Sequence, residues 1–481
     1  MKKIIVLLIG FTLIFSCDDQ LDINRDPDFL SPDQLALSVN LPTGITGIAA
    51  AQGATYAIIG GFWSQHWTQS NAANQYRVID SYDLNTTSTI QTGAWLDMYD
   101  ALLDIRNVKR NAENQENWNY FLIATVMETC ASQLLTDFYG DIPYSEANDP
   151  EIFQPVFDPG DSVYDQMIAD LDEALGKNLS ASQGNAPGID DLVFGGDMSA
   201  WVKFANTMKL KIFMRQTEAR PSVAQSGISS MLSSNAQFLD EDAAITQFKD
   251  QANQSNPLYE SDRRQLNVQT NLRASTTMYS FFESNSDARL SKYYGPGNPL
   301  DQGDFNNTDV APASISVVNL SATTPLYFIS HEESLFLQAE AALRYKNGTG
   351  TKALYDAAVV ENFSKWSLDG SAHVASGGAY EYPSGGTTAE QLEAIIVQKW
   401  AASFPGNGFE SYFEWLRTGY PKTSSVAQSD AGYIPGEFAY SLEGSTGGVF
   451  PQRIEYPNTE LQRNGNAPTL LDIKTPIWWN Q

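Results

Sequence analysis

The chain has 481 residues, with 57 acidic against 29 basic side chains and a formal net charge of −28. A hydrophobic share of 42%, with 12% aromatics, supplies a large core and excludes wholesale disorder. The acidic balance excludes a nucleic-acid binder, whose phosphate contacts need a basic surface, and two cysteines with three histidines exclude a disulfide or zinc-cluster scaffold.

At the N-terminus, Lys2 and Lys3 precede an apolar run over residues 4–15, which has signal-peptide length and is too short to span a bilayer. It ends at Ser16-Cys17, a small residue before a cysteine, the pattern of a bacterial lipoprotein signal. Residues 1–16 are read as the signal and Cys17 as the lipidated N-terminus; a plain secretory signal with an incidental cysteine is the alternative. Several acyl chains on one cysteine make a stable anchor where a single chain does not. Residues 17–30, with Asp18, Asp19 and the turn signal Asp26-Pro27, read as an acidic tether. Residues 31–481 are expected to form one domain. No later apolar stretch is expected to reach membrane-spanning length.

Helical spacing predicts helices over 95–111, 120–138, 162–175, 201–217, 331–345, 352–363, 388–404 and 409–416. The third opens with Ser162-x-x-Asp165, a capping-box pattern. Cys130 lies in the second, where burial makes it an inert thiol. Strands are expected only at 243–248 and 314–318. Long loops rich in Gly, Ser, Asn and Pro cover 295–312, 370–386 and 419–448. The fold class is therefore mostly α, with helix hairpins that suggest a tetratricopeptide-like array by pairing alone.

No zincin, Walker, dinucleotide or nucleophile-elbow motif is present, so no enzyme and no catalytic residue are expected. The alternating Asp/Asn pattern of a calcium loop is also missing; no cofactor or metal is expected, and calcium is not predicted. With so many carboxylates, the sequence neither supports nor removes a glycosidase pair. Aromatics and amides instead concentrate in polar stretches. Trp63, Gln65, Trp67, Asn71 and Tyr76 form one candidate ligand-binding set, with Tyr259, Arg263 and Tyr293 further along. A sugar ring offers an apolar face to an aromatic and a hydroxyl rim to amides or Arg. The structural alternatives are core packing of Trp63 and Trp67, four residues apart, and pairing of Arg263 and Arg264 with Asp262 and Asp287.

Several segments, in order, resemble the SusD/RagB family of surface lipoproteins. They are Cys17-Asp-Asp-Gln-Leu-Asp-Ile-Asn-Arg-Asp-Pro27, Leu135-Thr-Asp-Phe-Tyr-Gly-Asp-Ile-Pro-Tyr-Ser-Glu-Ala147 and the helix at 161–175. Ile329-Ser-His-Glu-Glu-Ser-Leu-Phe-Leu-Gln-Ala-Glu-Ala-Ala342, Gln398-Lys-Trp-Ala-Ala-Ser-Phe404, Trp415-Leu-Arg-Thr-Gly-Tyr-Pro421 and Phe450-Pro-Gln-Arg-Ile-Glu-Tyr-Pro457 follow. The resemblance implies a scaffold of tetratricopeptide-like hairpins with ligand loops and an outer-membrane location facing the cell exterior. It also implies a partner, a SusC-like TonB-dependent transporter on which the protein acts as a hinged lid. The cargo would be an oligosaccharide or polysaccharide; a peptide is the alternative. The resembling motifs concern the scaffold, so the resemblance transfers no binding residue.

Overall fold

The computed structural model describes residues 36–266 and 270–481. The expectations for residues 1–35, including the signal, Cys17 and the tether, lie outside the described residues.

The chain enters through α1 (Leu37–Ala51), passes a single π-helical turn at Gln52–Tyr56 and continues as α2 (Ala57–Trp63). Leu37, Leu41, Ile45 and Ile48 form the inward stripe of α1. Gly44 lets α1 approach the next long helix closely, since a Cβ there would sit 2.6 Å from the Ile105 side chain. The unbroken run Leu37–Trp63 is long and apolar enough, by length and composition, to cross a membrane. This corrects the expectation that no such stretch follows the signal. Most of the run is buried inside the fold, so it reads as a core helix.

Two long helices follow, α3 (Thr89–Asn114) and α4 (Trp118–Tyr139), packed as a hairpin. Asn117 caps α4 by accepting from the Tyr120 N–H. Next come α5 (Gly160–Gly176), α6 (Met198–Arg215) and α7 (Pro221–Ser233); α8 (Thr276–Ser284) precedes the second half. That half contains α9 (His331–Tyr345), α10 (Thr351–Lys365), α11 (Thr388–Ala402) and α12 (Gly408–Thr418). Helix α1 lies on α3, α4 on α5 and α6, α9 on α10 and α11, and α12 returns to α2. The expected helices are all present, several a turn longer than expected, whereas α1, α2, α7 and α8 were not expected. The anticipated box at Ser162 and Asp165 does not form. The Gly160 N–H instead donates to the Asp141 carboxylate at 2.9 Å, and Asp165 pairs with Arg220. A true capping box starts α11, between Thr387 and Glu390.

Four short strands occur among the described residues: β1 (Trp67–Gln69), β2 (Ala243–Ile245), β3 (Leu272–Ala274) and β4 (Leu326–Ile329). They form two antiparallel pairs, β1 with β3 and β2 with β4. The expected strand at 314–318 is absent as such. That segment makes only isolated bridges, to Asn298, Arg273 and Tyr294.

A buried ion network ties the helices together. The Arg215 guanidinium reaches Asp137 (3.2 Å), Glu410 (2.7 Å) and Glu414 (2.6 Å), and Arg417 reaches Glu340 (2.7 Å) and Glu414. Lys211 bridges Glu333 (3.0 Å) and Glu410 (2.9 Å), and Lys399 adds Glu410 (3.3 Å). Burial alone would raise the Glu340 carboxyl, but Arg417 and Arg344 hold it down at about 2. Five helices, α4, α6, α9, α11 and α12, are thereby fixed in mutual register.

Candidate ligand-binding site

Most of the aromatics singled out from the sequence are core. Trp63 is 1% exposed and Trp67 is fully buried. Their indole N–H groups donate to the backbone carbonyls of Ile79 (3.4 Å) and Ile58 (3.3 Å). Gly61 makes room for this fold-back, since a Cβ there would lie 2.0 Å from the Trp67 ring. Tyr293 is fully buried, stacked on Phe404 with centroids 4.1 Å apart, and its hydroxyl donates to the Ala401 carbonyl. Gln65, also closed to solvent, spans Ala439 and Thr277. The expectation that Trp63, Gln65, Trp67 and Tyr293 touch a ligand is therefore corrected: an external molecule does not reach them. Helical spacing of Trp63 and a short sheet edge at Trp67 turn both rings inward.

The remaining candidates, Asn71, Tyr76, Tyr259 and Arg263, lie around the far end of the β1–β3 pair. Ser70 continues that ladder by donating to the Asn271 carbonyl at 2.9 Å. Asn71 is half-buried and pins the 301–312 loop by donating to the carbonyls of Asn307 (2.9 Å) and Val310 (2.7 Å). Arg77 lays its guanidinium over the Phe305 ring at 4.9 Å and donates to the Asn306 side chain at 3.3 Å. Tyr76 packs edge-on against Phe62 (5.7 Å), with its hydroxyl at Asp262. Burial, more than that carboxylate, raises its pKa. Arg263 pairs with Asp262 and donates to the Val318 carbonyl at 2.9 Å. Arg264 pairs with Asp250 and Glu260 and stacks on Tyr259 at 5.3 Å, while Asp287 belongs to Arg289.

Three residues at this face escaped the sequence reading: Arg77, Arg273 and Phe305. Arg273, on β3, is 3% exposed and donates to the carbonyls of Thr270 (3.1 Å) and Ile315 (2.5 Å). Burial and the neighbouring Arg263 lower its pKa. Phe305 comes from the 295–312 loop, flagged as a loop but without a partner until Arg77 is placed against it. Arg263 and Arg273 thus lie close enough to interact on a strongly acidic protein, while Arg77 packs on Phe305 of the facing loop.

The floor beneath this face is Asp80, fully buried, which accepts from the Thr68 hydroxyl (2.8 Å), the Gln69 N–H (2.8 Å) and Gln302. Burial pushes its carboxyl up to about 6 against these bonds. His66 is held neutral by burial, its pKa pulled down to about 3, and its Nε2 lies 3.4 Å from Ser403 Oγ. Among the described residues no carboxylate reaches its Nδ1, so this Ser–His pair has there no orienting carboxylate of the kind a hydrolytic triad uses. Cys130 is half-buried, and desolvation pushes its thiol up to about 12, as for an inert thiol. Among the described residues, no group of three or more His, Cys, Asp or Glu is placed to hold a metal ion.

The sequence from residue 41 to residue 441 matches the family described as SusD-like, starch-binding associating with outer membrane. The chain belongs to the SusD-like family. Among curated proteins none matches this chain. Similar solved structures include a SusD homologue from Bacteroides uniformis, 22% identical, covering 92% of this chain and 99% of its own, with a TM-score of 0.70. A chitin-binding SusD homologue from Flavobacterium johnsoniae is 19% identical, covers 92% and 98%, and has a TM-score of 0.72. A protein described as chitin-binding is 24% identical, covers 94% and 100%, and has a TM-score of 0.69. At these identities the likeness establishes the fold. This SusD-like protein accordingly has the mostly helical scaffold read from its sequence, and its family is one of glycan-binding proteins associated with the outer membrane.

Proposed function

We propose that this SusD-like protein is a surface lipoprotein, anchored through Cys17, that binds an oligosaccharide or polysaccharide. It hands the glycan, as a hinged lid, to a SusC-like TonB-dependent transporter. The single observation that carries the reading is the match to the starch-binding family over residues 41–441, and the chitin-binding descriptions of two similar proteins support a glycan cargo. Arg77, Arg263, Tyr259 and Asn71 are the residues assigned to the cargo. Guanidinium forks and amides suit hydroxyl rims, and half-buried rings suit sugar faces.

A lid needs no chemistry of its own. It must bind cargo more tightly closed than open, because a ligand shifts a two-state equilibrium only through differential affinity. Binding without turnover is the expected behaviour. Native gels cast with soluble starch or with a soluble chitin derivative test the binding step: the protein should be retarded by at least one polymer. Unchanged migration in both would overturn the glycan reading. Extraction of native membranes in mild detergent tests the lid; a large barrel protein should co-purify, and isolation of the protein alone would contradict delivery.

A further inference from the structure

A second hollow lies where the β4–α9 junction, the end of α10 and the α11–α12 turn meet, with a volume of about 240 Å³. Its walls include Tyr327, Trp366 and Phe404, and its polar rim includes Thr324, Ser403 and Asn407. The aromatic wall is braced from within. Phe404 stacks on buried Tyr293 at 4.1 Å, Trp366 packs on Tyr293 at 4.9 Å, and Trp67 and His66 abut Phe404 at 6.2 and 5.9 Å. The Trp366 indole stays half-exposed at the hollow. Asn407 is fixed by donating to the Tyr327 carbonyl at 3.2 Å. Side chains held in place before binding lose little entropy on contact.

Charge narrows the occupant. The cation lining the hollow, Lys365, lies over the Tyr327 ring at 4.2 Å and is shared by Glu332 (2.5 Å) and Asp242 (2.7 Å). With its ammonium already held by two carboxylates, Lys365 is committed, and among the described lining residues no other cation is offered to an anionic ligand. The volume falls just below the roughly 300–1,000 Å³ of drug-sized pockets, which suits one ring rather than a chain.

We propose that this cleft, separate from the loop face carrying Arg77, is a second binding site that takes a single uncharged pyranose unit against Trp366 and Phe404. Ligand-observed saturation-transfer NMR on the lipid-free protein, with glucose, N-acetylglucosamine and glucuronate at millimolar concentration, tests it. At least one neutral sugar should receive saturation and glucuronate should not. Thr323→Trp, an exposed rim substitution that plugs the mouth, should reduce the neutral-sugar signal at least fivefold with an unchanged melting temperature. Trp366→Ala should do the same where it folds. No transfer to either neutral sugar, equal transfer to glucuronate, or a signal insensitive to Thr323→Trp would overturn the proposal. Polymer retardation on native gels reports the loop-face reading independently, so either idea can fail without the other.

Discussion

Arg77 holds its charge half in solvent, its guanidinium over Phe305, and it donates to the Ala73 carbonyl four residues back and to Phe305 and Asn306 of the facing loop. Its truncation removes a contact worth about 0.5–1 kcal/mol in an exposed setting, so Arg77→Ala should leave the melting temperature nearly unchanged. Oligosaccharide affinity should fall by about tenfold, a loss of about 1.4 kcal/mol, as read by calorimetric titration. Asp80 makes the opposite kind of prediction. Its folded carboxyl sits above the ordinary range, at about 6, so the folded state holds the proton more tightly than the unfolded chain does. The stability this group contributes is greatest below about pH 4 and is lost as pH rises to about 6. At about 1.4 kcal/mol per pKa unit, the loss is about 3 kcal/mol. Asp137, also raised to about 6 by burial, slopes the same way, and Glu340, held at about 2, slopes oppositely at lower pH. Urea unfolding of the native protein against Asp80→Asn isolates the Asp80 part. The difference between the two should change steadily from pH 4 to 6, and a pH-independent difference would remove Asp80 as its source.

Among the elements, the buried ion network does the organising. Arg417 at the end of α12 joins Glu340 of α9 to Glu414, one turn back on its own helix. Removing one partner of such a network strands the others without water, at a cost of about 3–5 kcal/mol. Arg417→Met should therefore shift the urea midpoint far more than Arg344→Met, whose guanidinium is 20% exposed beside Glu218 and Glu340. Similar shifts in both would deny the network its role. The same residues explain what could be read without coordinates. The segments that resemble the family carry Asp137, Glu333, Glu340, Lys399 and Arg417, so the scaffold's electrostatics are written locally and in order. Helices with a polar face, such as α5 and α9, follow from spacing. Helix α1 has a stripe, but Pro42 and two glycines inside it argue against a helix, α2 is too short and too uniformly apolar to show one, and three-residue strands fall below any periodic signal. The site was less legible for a related reason. A tryptophan in a polar stretch looks the same whether it faces a ligand or, like Trp67, folds back over a glycine. The partners that decide, such as Phe305 for Arg77, lie more than two hundred residues away.

For the molecule as a whole, the proposed lipid attachment at Cys17 and the net charge would set the working geometry. Cys17→Ser should move the protein from the detergent phase to the aqueous phase on phase separation, and retention in the detergent phase would contradict anchoring at that residue. The formal charge of −28 disfavours polyanionic glycans at long range, although screening over roughly 8 Å at physiological salt confines the effect. The guanidiniums of the loop face then act only at contact distance, which suits recognition of cargo by shape and hydroxyl pattern. The central claim is that this protein grips a glycan and leaves it intact. Calorimetric titration of the lipid-free protein with starch- and chitin-derived oligosaccharides and with peptides, followed by assay of the same samples for new reducing ends, tests that most directly. The account predicts heat from at least one oligosaccharide, none from peptides, and no new reducing ends; heat from peptides alone, or accumulating reducing ends, would contradict it.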